Sequence, residues 1–199
     1  MLFIGRRHKN ISAKHILLLF VFAIVLFSFG LTSMILNKNG MVNFAYHGFG
    51  VDSSGIIYVG TESGIVKYKD NENSGILAPE ITKSQNFLLL NDDTVLVYSN
   101  NYYHVLDLNG NEIKAINEES LNKKLYYEFN KMHMTFIGNN GLTYHVGLPF
   151  LRTTLYDEND NLVFQMPIGD YLYRLSFIVI IIGGLVFAVW FLVSINKKK

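Results

Sequence analysis

The sequence predicts a mainly β domain of three antiparallel units, flanked by two transmembrane α-helices. Three observations carry this prediction. Residues 16–36 and 175–195 contain no charged side chain, and roughly 20 apolar residues are enough for a helix to cross a bilayer. Between these runs, polar turns and β-rich segments recur about every 39 residues. All 16 acidic residues also lie between the runs, whereas Lys and Arg also occur in both flanks.

The first apolar run predicts a transmembrane helix over residues 16–36, preceded by a basic tail of residues 1–15. The tail carries Arg6, Arg7, Lys9 and Lys14. A cleavable signal peptide has a similar charge pattern, and Ser28-Phe29-Gly30 offers a weak small-x-small cleavage site. The run continues past that site and exceeds the usual h-region of about 7–15 residues, which favours an uncleaved anchor.

The second apolar run predicts a transmembrane helix over residues 175–195, followed by a basic tail of residues 196–199. Because Lys and Arg concentrate on the cytoplasmic side of membrane proteins, both termini are expected to be cytoplasmic. Residues 37–174 are then an extracytoplasmic domain of a two-span cell-membrane protein, with the lipid bilayer as one partner. This domain holds ten Lys and Arg against 16 Asp and Glu. Its net negative charge argues against nucleic acid as a partner.

The chain contains no cysteine. An extracytoplasmic domain without disulfides has to be stabilised by its own hydrophobic core, for which residues 37–174 are long enough. Thiol catalysis and cysteine metal sites are excluded.

Three segments between the spans share one order of turns and strands. They begin near Phe49, Leu88 and Tyr127, and each contains a polar turn, a β-rich run, a second turn, another strand and a third turn. Such β-branched and aromatic runs separated by Asn, Asp and Gly are hairpin signals. Asn109-Gly110 is the strongest of them, because both residues tolerate the positive φ of a type I′ turn.

The repeated strand, turn, strand and "DLNGN" turn resemble blades of PQQ-type, NHL or WD-type β-propellers over most of residues 49–165. No Trp-Asp pair closes a unit, and the only Trp is Trp190. Closed propellers need about four to eight blades. Two chains could therefore complete a ring, a partner could supply the missing blades, or the three units could pack as a curved β-stack or sandwich capped by loops. A helix over residues 117–124, with Asn117 as its N-cap, is the expected cap.

Residues that could carry chemistry are scattered. The acidic and amide residues of the "DENDN" sequence, residues 157–161, are spaced as at the start of a calcium-binding loop. The Gly and Glu that an EF-hand loop requires further along are missing, and strand-like runs lie on both sides. A hairpin turn is therefore favoured. The histidines between the spans occur in separate segments and lack the spacing of a zinc site; they are His47, His104, His133 and His145. No hydrolase, P-loop or dinucleotide motif occurs, so we expect no catalytic, metal or cofactor site and no enzymatic activity.

Two groups near the second span are candidates for membrane contacts. Tyr171, Tyr173 and Arg174 lie where lipid headgroups are expected. Gly183, Gly184 and Ala188 would place small residues on one helix face, which allows close helix pairing.

We therefore expect a non-enzymatic bacterial membrane protein that presents an extracytoplasmic β-repeat domain for protein binding. An accessory subunit of an envelope or transport complex, or a homo-oligomer, fits this pattern. The alternative is an extracytoplasmic ligand sensor that signals through a separate membrane partner.

Overall fold

The computed structural model describes residues 13–39, 41–82, 86–130 and 134–196. Of the residues singled out in the sequence, Arg6, Arg7, Lys9, His133 and Lys197–Lys199 lie outside this described part.

The described residues divide into two compact units. One contains the helical residues up to Ile35 and from Leu175, and the other is the β unit, Leu36–Arg174. In the first unit, α1 (Ala13–Lys38) and α4 (Ile168–Asn196) contact each other through stacked rings of Phe22 and Phe187, whose centroids are 4.5 Å apart. Both helices are long and apolar enough to span a membrane.

The β unit contains three four-stranded antiparallel sheets between these helices. In each sheet the strands follow one another in chain order, because each successive pair is joined by a short turn. Sheet 1 consists of β1 (Tyr46–Val51), β2 (Ile57–Thr61), β3 (Gly64–Lys69) and β4 (Glu72–Leu77), and the short helix α2 (Pro79–Thr82) follows it. Sheet 2 consists of β5 (Phe87–Leu89), β6 (Val95–Ser99), β7 (Tyr102–Leu106) and β8 (Glu112–Asn117). Sheet 3 consists of β9 (Thr135–Ile137), β10 (Thr143–Gly147), β11 (Thr154–Asp157) and β12 (Leu162–Gln165).

Sheet 1 is packed on both faces, which explains why every residue of β2 is buried. Ile57 and Val59 point to one face and join Leu155 and Phe164 of sheet 3 in a core. Tyr58 points to the other face, into a core with residues of sheet 2. The side chains alternate because successive residues of a strand face opposite sides of the sheet. The order of layers is therefore sheet 3, sheet 1, sheet 2.

The outer face of sheet 2 is covered by a helix, as the sequence suggests, but the helix lies further along the chain than predicted. Asn117 caps only a short 3-10 turn, Glu118–Ser120, and α3 extends over Lys123–Asn130. Lys123 and Lys124 thus begin a helix that they were expected to end. Leu121 and Phe129 from this segment pack on Leu96 and Tyr103 of sheet 2.

The hairpin predicted at Asn109-Gly110 joins β7 and β8, but its turn is not of type I′; among the described residues, two other hairpin turns have the type I′ pattern of positive φ. Asp70-Asn71 and Asn100-Asn101 join paired strands with both residues at positive φ. At Asn109-Gly110, only Gly110 has positive φ. Asp107 instead organises that turn, because its Oδ1 accepts bonds from the N–H groups of Asn109 and Asn111 at 2.8 Å.

The three predicted repeats correspond to the three sheets, except that the third begins later than expected. Tyr127 belongs to α3, and the first strand of sheet 3 starts at Thr135. The sheets are not closed into a propeller ring. Within this one chain the sheets stack with α3 over one end, and completion of a ring by a second chain or a partner stays a prediction.

Candidate functional site

A cavity of about 1280 Å³ lies among β1, β5 and β9, each of which is an edge strand of its sheet. Side chains of α3, Leu148 and Arg174 complete the lining. Pockets for drug-sized ligands occupy about 300–1,000 Å³. The cavity therefore has room for an extended polypeptide segment as well as for a small molecule.

Gly50 in β1 allows sheets 1 and 2 to approach closely beside the cavity. A Cβ on Gly50 would lie 2.9 Å from the Cβ of Leu89, whereas one on Gly48 would make an ordinary contact at 3.6 Å with the ring of Phe87. A side chain at position 50 would therefore push β5 away from β1.

The cavity lining is mostly apolar, with several amide groups and few charges. Lys124 and Arg174 are balanced by Asp92 and Glu128. Asparagines are present at positions 86, 91 and 122, and the apolar side chains include Phe49, Leu88, Leu125, Met134, Phe136 and Ile137. Pockets that combine apolar walls with a few polar groups are typical binding sites.

His47 contributes an unsatisfied polar atom to this lining. Its Nε2 is buried and has no hydrogen-bond partner among the described residues. Leaving a buried polar group unpaired costs about 1–3 kcal/mol.

The other described histidines lie in sheets and make local contacts. His104 Nε2 lies 3.1 Å from the Ser99 carbonyl oxygen, and its Nδ1 lies 3.3 Å from Glu112 without hydrogen-bond geometry. His145 stacks on Tyr156 and lies 3.3 Å from Asp160. Within the described residues, no group of three His, Asp or Glu is arranged to hold a metal ion.

One turn from each sheet meets at what we call the Asp93 junction, formed by Ser53, Asp93 and Asn139. Both the N–H and the hydroxyl of Ser53 donate to the Asp93 carboxylate. Asn139 Nδ2 donates to Asp93 Oδ1 at 2.7 Å, and the Asn139 N–H donates to the Val51 carbonyl at 2.8 Å. Burial would raise the pKa of Asp93, but the bonds from Ser53 and Asn139 outweigh it and lower that pKa. The three sheets are thus tied together beside the cavity.

A second polar group, the Asp170 cluster, joins the first turn of α4 to the beginning of the β unit. The buried Asp170 carboxylate accepts hydrogen bonds from the Asn43 N–H at 2.9 Å and from the Tyr46 hydroxyl at 2.7 Å. A weaker bond comes from Asn43 Nδ2 at 3.4 Å. An acid in the first turn also interacts favourably with the helix dipole.

Burial and the Asp170 carboxylate affect the nearby phenols in the same direction. The pKa of Tyr46 is raised by burial first, and then by the charge of Asp170 and the hydrogen bond to it. Burial, with a smaller contribution from Asp170, raises the pKa of Tyr68 to about 12. Both phenols therefore remain protonated donors throughout the physiological pH range.

The predicted interfacial residues Tyr171, Tyr173 and Arg174 lie in the first two turns of α4, at the end of the β unit, and pack on other residues of that unit. The Arg174 guanidinium donates to the carbonyl of Phe44 at 2.6 Å and to that of Leu151 at 2.9 Å. Tyr171 lies beneath the guanidinium of Arg152, and Tyr173 packs edge-on against Phe44. Their position at lipid headgroups stays a prediction.

The small residues of α4 do not all face the same way. A Cβ on Gly184 would lie 3.5 Å from the ring of Phe22 in α1, whereas one on Gly183 would meet nothing within 4 Å. Gly184 thus lies against α1 of its own chain, while Gly183 and Ala188 are exposed. Pairing with a second chain through these residues stays a prediction.

The Asp157–Asn161 sequence forms the hairpin turn between β11 and β12, as favoured from the sequence. Asp157 accepts bonds from the N–H groups of Asn159 and Asn161 and from the Asn161 amide, which repeats the bonding of Asp107 with Asn109 and Asn111. These bonds, led by that from Asn161, lower the pKa of Asp157.

Comparison with known proteins gives no further guide to this chain: no family model, curated protein or solved structure matches it.

Proposed function

We propose that this chain is a non-enzymatic membrane protein whose extracytoplasmic β unit binds an extended segment of a partner protein. Residues 37–174 face the outside in this proposal, and the chain acts as an accessory subunit of a bacterial envelope or transport complex. The charge distribution of the flanks supports this orientation, since the basic residues outside the β unit lie near the two ends of the chain.

The observation that carries the proposal is the cavity bounded by three edge strands. Edge strands offer backbone groups to an added chain, and alternate side chains of that chain enter neighbouring apolar pockets. The near balance of charge in the lining favours an uncharged, partly apolar segment.

A ligand sensor is the second candidate, because the cavity lining includes Tyr46, which is bonded to Asp170, and Arg174, which lies one turn further along α4. Tyr46 donates to Asp170, and Arg174 of α4 donates to Thr153 at 3.1 Å, so two cavity-lining residues of the β sheets and their loops contact the first turns of α4. A ligand that contacts Tyr46 or Arg174 would change these bonds. The signal would then pass through α4 to a separate membrane partner.

Photo-cross-linking in native membranes tests the binding proposal. Benzoylphenylalanine replaces Ile137 of β9, which lines the cavity and is 72% exposed. Irradiation is expected to yield an adduct with one protein. Met134→Trp, which adds bulk to the cavity lining, should reduce the adduct several-fold.

Ile113 of β8 provides matched controls, because it is exposed but lies outside the cavity lining. Ile113→Trp should leave the adduct at Ile137 unchanged, and benzoylphenylalanine at position 113 should not capture the same protein. Equal capture from positions 113 and 137, or an adduct insensitive to Met134→Trp, would contradict binding in the cavity. An adduct with a small molecule in place of a protein would favour the sensor.

A further inference from the structure

The connection between β10 and β11 forms an exposed apolar loop, Leu148–Leu151. Phe150 is 92% exposed, and Leu148 and Leu151 are also exposed. Single exposed apolar residues are common on protein surfaces, but three large ones in four consecutive positions mark an interaction site.

The backbone holds this loop in a conformation that projects Phe150. Both Phe150 and Leu151 have positive φ, at 49° and 68°, although neither is Gly or Asn. Branched and bulky residues adopt this region only where surrounding contacts impose it. Here the Arg152 N–H donates to the Pro149 carbonyl at 2.9 Å, and Arg152 Nε donates to the Met166 carbonyl at 2.9 Å.

The loop lies at the end of the β unit from which the chain enters its second apolar run. Arg174 is the last residue of the unit, and the uncharged run of residues 175–195 begins at the next position. The guanidinium of Arg174 donates both to the Leu151 carbonyl and to the Phe44 carbonyl. Phe44 follows α1 by only a few residues. Leu151 is therefore bonded directly to the residue that precedes the second span.

We propose that the Leu148–Leu151 loop inserts the side chains of Phe150 and Leu151 into the outer leaflet of the membrane that the two helices span. This inference rests on the proposed membrane location of α1 and α4, but it does not depend on what the cavity binds. The loop gives the β unit a third membrane contact beside its two chain connections.

Lipid fits this surface better than a protein does, because the apolar tip is continuous with a basic and aromatic border. Arg152 lies over Tyr171, and Arg174 lies over Phe44 and Tyr46, at 5.6–5.8 Å from each ring centroid. Arg and Tyr are characteristic of the headgroup region. The loop therefore presents apolar side chains beyond a ring of residues suited to headgroups.

Fluorescence quenching in liposomes tests the loop. The full-length chain has no cysteine, so Phe150→Cys gives a unique labelling site for an environment-sensitive fluorophore. The purified protein is reconstituted into vesicles of phosphatidylcholine and phosphatidylglycerol. We expect strong quenching by doxyl groups near the headgroup end of the acyl chains, and iodide quenching reduced several-fold relative to Ile113→Cys.

Val186→Cys, on an exposed position of α4, separates failure of the loop from failure of the membrane location. If the probes at 186 and 150 both escape lipid quenching, the membrane location itself fails, and the loop proposal fails with it. If only the probe at 186 is quenched by lipid, the loop proposal is wrong while the spans stand. Protection from iodide at position 150 in native membranes, but not in the liposomes, would assign the loop to a protein partner and overturn the proposal.

Discussion

Replacing Asp170 is expected to destabilise the β unit strongly, because its buried carboxylate accepts bonds from both Asn43 and Tyr46. Asp170→Ala removes the acceptor, and Asp170→Asn keeps the size of the side chain but loses its charge. Asp160→Asn is the matched control, since the Asp160 side chain is 88% exposed and lies 3.3 Å from His145.

The expected magnitude follows from the two short hydrogen bonds. A bond to a charged group contributes about 1.5–3 kcal/mol, and removal of the acceptor leaves a buried N–H and a buried hydroxyl without partners. We therefore expect Asp170→Ala to lower the free energy of unfolding by about 3–5 kcal/mol. In Asp170→Asn, the amide oxygen still accepts one bond while the NH₂ group opposes the other donor, so the loss should be about 2–3 kcal/mol. Asp160→Asn should change it by less than about 0.5 kcal/mol.

Pulse proteolysis of the full-length protein in lipid nanodiscs, across a urea series, measures these differences. The protease cleaves only the unfolded fraction of the β unit, and the shift of the urea midpoint multiplied by the slope gives the change in unfolding free energy. If Asp170→Ala and Asp160→Asn unfold at the same urea concentration, the Asp170 cluster does not stabilise the unit.

A double-mutant cycle with Tyr46→Phe separates the bond from other effects of each substitution. Tyr46→Phe removes the hydroxyl that donates to Asp170 at 2.7 Å. Because both substitutions remove one shared bond, the double variant should lose at least about 0.5 kcal/mol less than the sum of the single losses. Strict additivity would show that the two groups do not interact.

Three further outcomes are expected. Folding raises the pKa of Tyr68 to about 12 and also raises those of Tyr46 and Tyr58, so protonation of these phenols stabilises the folded state. This contribution to the free energy of unfolding is complete below about pH 10, the ordinary tyrosine pKa, and is lost as the pH rises from there through 12. Circular dichroism with tyrosinate absorbance should show cooperative alkaline unfolding, and free titration of all tyrosines near pH 10 in a folded protein would refute it. Asn159→Cys should react with an impermeant thiol reagent in intact cells, and Lys199→Cys only after permeabilisation; the reverse pattern would invert the topology. Gly184→Leu, but not Gly183→Leu, should reduce disulfide cross-linking between cysteines placed at positions 29 and 177 several-fold, and equal effects would argue against the α1–α4 contact.

The three sheets could be predicted because their signals are local. Turn residues such as Asp107 and Asp157 bind backbone groups only two and four positions away, so the pattern of Asp, Asn and Gly specifies each hairpin. The hairpin predicted at Asn109-Gly110 forms between β7 and β8, but the Asn-Gly pair alone does not determine its turn type. At 107–111, the Asp107 carboxylate favours a different turn, while Asn100-Asn101 adopts positive φ without any glycine.

The candidate site could not be predicted in the same way, because it depends on distant contacts. Asn43 and Asp170 are 127 positions apart, and Ser53 meets Asp93 only once sheets 1 and 2 stack. The number and the spacing of the three sequence repeats do not determine whether the sheets that they form close into a ring. The "HGFGV" sequence of residues 47–51 was the available signal for the cavity, since alternate glycines in a strand indicate close approach by a neighbouring chain.

Mapping cross-links from all three edge strands tests whether the cavity binds one extended segment. Benzoylphenylalanine is placed in separate variants at His47 of β1, at Asn86 directly before β5 and at Ile137 of β9, and the cross-linked peptides are identified by mass spectrometry. The proposed function predicts that all three positions capture neighbouring residues in a single short segment of the same partner protein. Capture of unrelated proteins from the three positions, or of residues from this chain alone, would contradict it.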